Sequence, residues 1–416
     1  MTTALAAPLT SPEAPPAVAA ATVVDDAPTQ GLHMLAAYGT LVTGVLQAKL
    51  PAMMEATGIP GAVIVGVAFL PIYWRAVRAG ATPFRDGPLR VLALLVVMLG
   101  LSPAWGDHPQ DGLVKAAAAA TALAWGALLW RWPALLRTVL MTGLAYALVG
   151  QAAALAGVEE IPPANCSFLV VVMLAAATQW RSGSGRRLLG RILRVLAFVA
   201  LVALVFLSTF RAPTIGVLLV LAALAVRVRE ARWALVLLAL LGGAFFSLKE
   251  NTQGPSYART VERDDLVGRY ENISSDRLSG RTDIWEGITA HLVEHPGVLA
   301  IGGGLGDVDF IVADANPRLG AVNRRGERVL STHNLALEIL ISNGIPGFVV
   351  LLWLVGSMAR RAFGSLPDAG MFACVVVLSG SNVPLVDAAG GTLLVGLLCA
   401  QLGRRTPWRM PGGVFV

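Results

Sequence analysis

The chain has 416 residues, of which 56% are hydrophobic and only 14% carry a charge. Its mean hydropathy of +0.68 excludes an ordinary soluble globular domain. The formal net charge of +6 does not require a nucleic-acid partner, because the excess arginines lie in short loops between apolar stretches and set the orientation of a membrane protein. Since lipid offers no partner to an exposed backbone amide, we predict an all-α polytopic membrane protein.

Residues 1–30 are rich in Ala and Pro and have no Lys or Arg, so they lack the basic start of a signal peptide. We expect a disordered cytoplasmic tail there. About twelve apolar stretches follow that are long enough to cross the hydrocarbon core. They are predicted near residues 32–52, 59–75, 88–105, 112–130, 133–156, 164–180, 190–208, 212–226, 231–247, 334–359, 368–382 and 386–403. The membrane regions are therefore 31–247 and 333–403, and residues 404–416 form a C-terminal tail.

Arginines mark alternate connections between the predicted spans, from Arg75 after the second span to Arg404 after the last. The intervening short loops are acidic, and their few bases are Lys49, Lys115 and Arg211. Because Lys and Arg collect on the cytoplasmic side of a membrane, both termini are predicted to be cytoplasmic. Residues 248–332 then form one large loop on the outer side.

The long outer loop contains a segment with a helical pattern, SGRTDIWEGITAHLVEHPG, which begins at the candidate N-cap Ser279 and ends at Pro296. One face of this helix carries Trp285, Ile288 and Leu292. Arg281 lies on the same face, where its side chain and the free amides of the first turn make an anion site. The alternative for Arg281 is a solvated or snorkelling arginine.

Two patterns in the outer loop resemble known sites but lack their context. Residues 291–295, HLVEH, have the form of a zinc protease motif, but Pro296 follows at once and no third ligand is evident. Residues 302–306, GGGLG, resemble a phosphate-binding loop, but no strand precedes them, so we expect a flexible turn near the membrane surface. No metal or other cofactor is predicted. Cys166, Cys374 and Cys399 fall in predicted spans and are expected to be packing residues.

His333 and Asn334 stand where the outer loop runs back into the membrane, at the start of the tenth predicted span. A histidine there can accept a proton from an attacking hydroxyl. Arg211 interrupts apolar sequence on the same side, and it either joins Arg281 and His333 in one cavity or snorkels to lipid phosphates. Two arginines can hold a diphosphate through forked hydrogen bonds. Asp387, the acid of the last outer loop, would either orient His333 or cap a helix.

The order of these motifs resembles one family. STFRAP, then SGRTDIW with EHPGVLAIGGGLG, then THNLALEILISNGIPG occur within about residues 205–350, and this stretch is similar to the bacterial O-antigen ligase and polymerase superfamily. The element from His333 to Gly347 is the most specific part, with Asn343 and Gly344 expected to close a helix before Pro346. The chain departs from the family pattern at Ala212 and Pro213, because the family often has a glycine or small residue there.

The resemblance implies a metal-independent glycosyltransferase of the bacterial inner membrane, which moves a glycan from undecaprenyl diphosphate onto an acceptor hydroxyl in the periplasm. Arg211 and Arg281 would bind the diphosphate, and His333 would be the base, with inversion at the anomeric carbon. Asn334 and Trp285 would also contact substrate, whereas Asp387 is the least specific match. The implied partners are the lipid-linked donor, a lipid A-core or glycan acceptor, and membrane lipids.

Two other functions remain open at this point. An O-antigen or exopolysaccharide polymerase belongs to the same superfamily, although the single long outer loop favours a ligase that attaches glycan to lipid A-core. A lipid or glycan transporter belongs to another class. The first six predicted spans lack the broken or charged helices that are typical of transporter halves, which disfavours this alternative.

Overall fold

The computed structural model describes residues 28–85, 87–155, 281–316, 321–322, 328–363, 366–381, 385 and 390–403. The predicted spans over 164–180, 190–208, 212–226 and 231–247 lie outside these residues, as do most of the N-terminal tail and the first part of the outer loop. The described residues include most of the predicted spans before residue 156 and most of those between residues 334 and 403.

The regular secondary structure of the described residues is helical apart from one short β-ladder. The helices are α1 Gln30–Thr57, α2 Gly61–Arg78, α3 Pro88–Leu101, α4 Pro109–Arg131, α5 Leu135–Leu155, α6 Arg281–Glu294, α7 Pro296–Ile301, α8 Val308–Ala315, α9 Leu335–Ala362, α10 Leu366–Ser381 and α11 Gly390–Gly403. Short 3-10 helices, Thr82–Phe84 and Ser102–Trp105, flank α3. The antiparallel ladder joins β1, Ala321–Val322, to β2, Arg328–Val329.

Several of these helices are candidate membrane spans. Among the described residues, four segments are long and apolar enough to cross a bilayer: Gly61–Arg78, Pro88–Trp105, Pro109–Arg131 and Leu335–Ala362. The prediction of a helical multi-pass membrane protein is therefore confirmed. Helices α1 to α5 and α9 to α11 coincide with eight predicted spans. The total of twelve spans and the cytoplasmic position of the termini stay predictions.

The core of the described helices forms where α4 meets α11 and α3. Trp125 of α4 is fully buried, as is Leu95 of α3. Glycine allows α4 and α11 to approach closely, because a Cβ on Gly396 would collide with the Ala122 carbonyl oxygen and lie 3.0 Å from the Gly126 amide nitrogen. Small residues at such crossings let helix backbones pack against each other in lipid. This contact joins the last described helix to the first half of the chain.

Helices α6 and α8 of the outer loop pack on the beginning of α9. The predicted apolar face of α6 is confirmed, since Ile288 and Leu292 are buried and Trp285 is partly buried against the same cluster. The helix ends at Glu294, just before Pro296, as the sequence indicated. Pro296 then begins α7. The buried apolar cluster consists of Ile284, Ile288, Leu292, Val308, Val312 and Ile341.

Helix α9 is kinked at Gly344, where the backbone has φ 63° and ψ −161°. Pro346 has no amide hydrogen for the Ser342 carbonyl, so the kink leaves carbonyl groups without helical partners. The glycine loop supplies them, because Gly303 N donates to Ile341 O at 2.7 Å and Gly304 N donates to Ser342 O at 3.1 Å. Residues 302–306 lie in a turn between α7 and α8, as expected, and these hydrogen bonds join the turn to α9. The expectation that a helix closes at Gly344 is confirmed, since the backbone leaves the helical region at this residue and a second helical segment follows the kink to Ala362.

The opposite end of α9 contacts the end of α11. The Arg361 guanidinium donates through Nη1 to the Leu402 carbonyl at 2.9 Å and to the Gly403 carbonyl at 3.3 Å. A Cβ added to Gly87, just before α3, would collide with the same guanidinium. The start of α9 and the loop before α4 lie at the other end of the helices, where Asp307 binds that loop. The helices thus have a basic end and an end that carries His333.

Candidate functional site

His333 has an unusual backbone conformation. Its φ is 49°, and among the described residues it is the one non-glycine residue with a positive φ. This left-handed conformation costs about 1–3 kcal/mol for a residue with a side chain, and it persists where the surrounding structure holds it. His333 is partly buried, and its amide donates to the Ser331 hydroxyl at 3.3 Å. The strain therefore lies at the residue that the sequence singled out.

Asn334 caps α9. Its backbone is extended, and its side-chain oxygen accepts hydrogen bonds from the amides of Ala336 at 2.9 Å and Leu337 at 3.3 Å. A side chain in this position satisfies amides that have no partner within the helix, and replacement by alanine typically costs about 1 kcal/mol. Capping explains why an amide side chain follows His333. Substrate binding by Asn334 stays a prediction.

Thr332 connects α6 and α9 on the other side of His333. The side chain is fully buried. Its hydroxyl lies 2.9 Å from Glu338 Oε2 and accepts the Asn334 amide at 3.2 Å. Its carbonyl accepts the indole N–H of Trp285 at 3.0 Å. The polar atom of Trp285 is thus bound to the loop that carries His333, while the predicted contact of Trp285 with substrate stays a prediction.

A buried ion pair lies below this loop. Lys115 Nζ of α4 is 2.7 Å from Glu338 Oε1, and the Glu338 side chain is only 1% exposed. The same ammonium is 3.2 Å from Asp309 Oδ1 of α8. Charged groups at membrane depth are costly and occur where they pair with each other. Sequence analysis placed Lys115 in an outer loop and did not consider Glu338, although an acid and a base inside two predicted apolar spans were the available signal.

The loop before α4 is bound to the start of α8 by one carboxylate. Asp307 accepts the amides of Asp107 at 2.7 Å and His108 at 2.8 Å. The His108 Nδ1 atom is 2.6 Å from the same carboxylate, and the imidazole stacks on Phe310 with ring centroids 3.7 Å apart. These contacts hold α8, and with it Asp309, against α4. They therefore position the acid that shares Lys115 with Glu338.

Of the predicted site residues Arg281, Arg211 and Asp387, the structure describes only Arg281. Arg281 is the first residue of α6, one helical turn before Trp285. Residues four apart in a helix lie on the same face, so the Trp285 bond to Thr332 brings the start of α6 close to the His333 loop. Arg211 and Asp387 lie outside the described residues. Their roles stay predictions.

The HLVEH stretch forms a histidine pair at the junction of α6 and α7. The rings of His291 and His295 stack with centroids 4.1 Å apart, and His295 Nδ1 lies 3.0 Å from the His291 carbonyl oxygen. Burial lowers the pKa of His291, and the neighbouring His295 lowers it further. Because the His291 and His295 rings are stacked, their nitrogen atoms do not point toward a common metal position. Among the described residues, no group of three or more His, Cys, Asp or Glu side chains is arranged to hold a metal ion.

The segment that carries these features matches a known family. Residues 196–352 match the family model described as O-antigen ligase. This segment is thus similar to the O-antigen ligase family. The resemblance seen in the sequence over residues 205–350 is thereby confirmed. A search of the curated proteins found no match.

The segment that matches the O-antigen ligase model contacts helices that precede it. Asn343 Nδ2 donates to the Met98 carbonyl of α3 at 3.0 Å, and the Ser102 hydroxyl donates to the Ser342 carbonyl at 3.2 Å. Lys115, the partner of Glu338, also lies outside the matched residues. The described site is therefore built from both parts of the chain.

Proposed function

We propose that this protein is a glycosyltransferase of the bacterial inner membrane, which transfers a glycan from undecaprenyl diphosphate to a hydroxyl of lipid A-core on the periplasmic side. The O-antigen ligase match supports the reaction class. The single long outer loop of the sequence supports ligation rather than polymerisation. The apolar helices support a lipid-linked substrate that reaches the site from the bilayer.

The observation that carries the proposal is the strained backbone of His333. A packing residue gains nothing from a left-handed conformation, whereas a base must be held at a defined position and angle to its substrate. Residues on both sides of His333 are fixed by hydrogen bonds, Thr332 through Glu338 and Trp285, and Asn334 through the cap of α9. This arrangement supports the role of His333 as the general base.

The reaction proceeds as one displacement. His333 takes the proton of the acceptor hydroxyl as its oxygen attacks the anomeric carbon. The bond between that carbon and the diphosphate oxygen breaks, and undecaprenyl diphosphate leaves with the electron pair and with inversion of configuration. Arg281 and Arg211 hold the diphosphate and stabilise its developing charge. Asp387 orients His333. The energy comes from the phosphoanomeric bond, so no nucleotide is required.

The test uses the full chain reconstituted in proteoliposomes. A strain that lacks the gene is the source of both substrates, undecaprenyl diphosphate-linked O-antigen and lipid A-core. We expect His333→Ala to abolish transfer and Arg281→Lys to lose most of it, because lysine lacks the planar fork. Arg360→Lys, on an exposed arginine at the basic end of α9, is the matched control and should transfer normally. Normal transfer by His333→Ala would remove the general-base role.

Gel analysis of lipopolysaccharide from the deletion strain separates the alternatives. Loss of a ligase leaves bare core while lipid-linked polymer accumulates. Loss of a polymerase leaves core with a single repeat, and that pattern would contradict ligation. A transporter would form no glycosidic product in the proteoliposomes, so product formation by the purified chain excludes that class.

A further inference from the structure

Glu338 is buried beside the His333 loop and uses its two oxygens for different partners. Oε1 is 2.7 Å from the Lys115 ammonium, and Oε2 is 2.9 Å from the Thr332 hydroxyl. Thr332 directly precedes His333 in the chain. A carboxylate in this position therefore connects a charge from α4 to the backbone of the predicted base.

We propose that Glu338, held in place by Lys115, is a positioning residue that fixes Thr332 and thereby keeps His333 in its left-handed conformation. The proposal rests on the proposed function only for the role of His333 as the base. Glu338 itself does not need to touch substrate. Its contribution is the orientation of the imidazole.

The chemistry of the pair supports this role over simple packing. Taking a carboxylate and an ammonium out of water is costly, and apolar residues of the same size commonly replace such pairs without loss of stability. A hydrogen bond from a hydroxyl to a carboxylate is, however, stronger and shorter than one to a neutral acceptor. Lys115 holds the carboxylate through Oε1 and leaves Oε2 directed at Thr332. The pair thus provides a fixed acceptor where an apolar core would provide none.

The geometry of the loop supports the same conclusion. Thr332 is held at its hydroxyl by Glu338 and at its carbonyl by Trp285, while Asn334 is held by the cap of α9. A left-handed residue between two fixed neighbours cannot relax. If the bond to Glu338 is lost, Thr332 retains its bonds to Trp285 and to the neighbouring Asn334 backbone but no longer has a link to the buried carboxylate, and the backbone at His333 can move toward an ordinary negative φ. Misplacement of a reacting group by about 1 Å can lower a rate on the order of a hundredfold.

The first test compares two substitutions of one hydroxyl in the proteoliposome assay. Thr332→Val keeps the shape of the side chain and removes the hydroxyl, so kcat should fall on the order of a hundredfold while KM for the lipid-linked O-antigen changes less than about twofold. Thr332→Ser keeps the hydroxyl and should retain most of kcat. Thr289→Val, on an exposed threonine of α6, is the control and should be fully active. Wild-type kcat in Thr332→Val, or equal loss in Thr332→Ser, would overturn the proposal.

The second test separates positioning from stability. Lys115→Met leaves the Glu338 carboxylate buried without its cation, so the melting temperature of the detergent-solubilised chain and kcat should both fall. Lys115→Met combined with Glu338→Leu removes both charges and should recover the melting temperature. Its kcat should stay low, because the Thr332 hydroxyl then has only the neighbouring Asn334 carbonyl as acceptor and is no longer fixed to the helix by a carboxylate. Recovery of kcat together with the melting temperature would show a merely structural pair and contradict the positioning role.

The two proposals fail in different ways. If the wild-type chain forms no glycosidic product from the lipid-linked donor and lipid A-core, the proposed function is wrong. If the wild type transfers glycan and Thr332→Val transfers it equally well, the proposed function stands and the positioning role of Glu338 is wrong.

Discussion

At the scale of single residues, His333 and Asn334 divide two tasks that the sequence motif presents together. Asn334 satisfies the first amides of α9. His333 carries the strained φ of 49°. A positive φ is uncommon for any residue other than glycine, so the histidine adopts it at a cost in stability. Function is the expected reason for such a cost, because strained residues concentrate at active sites.

The strain at His333 predicts an unusual order of stability. Glycine adopts a positive φ without steric conflict whereas alanine does not, so His333→Gly should be more stable than His333→Ala by about 1 kcal/mol. Both variants should fail to transfer glycan. The melting temperatures of the two purified variants give the comparison.

An ordinary helical position provides the control for that order. At the exposed Thr289 of α6, alanine should be the more stable replacement, because glycine is unfavourable within a helix. A higher melting temperature for His333→Ala than for His333→Gly would mean that the backbone at residue 333 is not strained in the membrane-embedded protein.

Sequence reasoning predicted these residues to different extents. His333 was found from its place at the mouth of a span, and the face that carries Trp285 was found from helical spacing. The pairing of Glu338 with Lys115 was not found, because the two lie in helices that are distant in the chain and periodicity does not show which helices meet. The positive φ of His333 was not predicted either, since it depends on the fixed neighbours rather than on a local preference.

At the scale of elements, the kink of α9 and the glycine loop form one unit. A Cβ on Gly344 would lie 2.7 Å from the Ala300 carbonyl oxygen and 2.7 Å from the Gly302 amide nitrogen. Only glycine at Gly344 permits both the backbone angle and this close approach. The prediction that a helix opens at His333 and Asn334 was confirmed, with Asn334 as its N-cap. The interruption at Gly344 was predicted, but its binding to the glycine loop was not, because the carbonyl groups bind amides from about forty residues earlier.

Two glycines of α9 provide a matched pair for testing this unit. Gly344→Ala should destabilise the protein by about 2 kcal/mol or more, because a methyl group at this φ and ψ is strained and meets the backbone after α7. Gly356 lies in the same helix with nothing within 4 Å of a Cβ, so Gly356→Ala should be neutral or stabilising. Thermal unfolding in detergent measures both. Equal melting temperatures would contradict the packing of the glycine loop on the kink.

At the scale of the whole molecule, the described helices have two chemically different ends. Arg361 binds the end of α11 at one of them, and Asp307 binds the loop before α4 at the other. The charge pattern of the sequence separates the loops into an arginine-rich group and an acidic group. In the structure, the described members of each group lie at one end of the helices. The pattern also predicts that the arginine-rich end is cytoplasmic.

Cysteine labelling tests this sidedness. In a background with the native cysteines replaced, Gln110→Cys stands exposed at the start of α4, and Arg360→Cys stands exposed at the end of α9. A membrane-impermeant maleimide applied to intact spheroplasts should label the first and not the second. The second should react once the membrane is permeabilised. The reverse pattern would overturn the predicted orientation and, with it, a periplasmic site.

The carboxylate of Asp307 has a consequence for how members of this superfamily can be recombined. It joins the matched segment to the backbone of the loop before α4, and Lys115 of α4 joins the same segment to Glu338. A chimera that exchanged only residues 196–352 between two relatives would place Asp307 against a foreign loop and leave Glu338 dependent on whatever residue the host has at position 115. The smallest unit that can be grafted intact therefore includes α3 and α4.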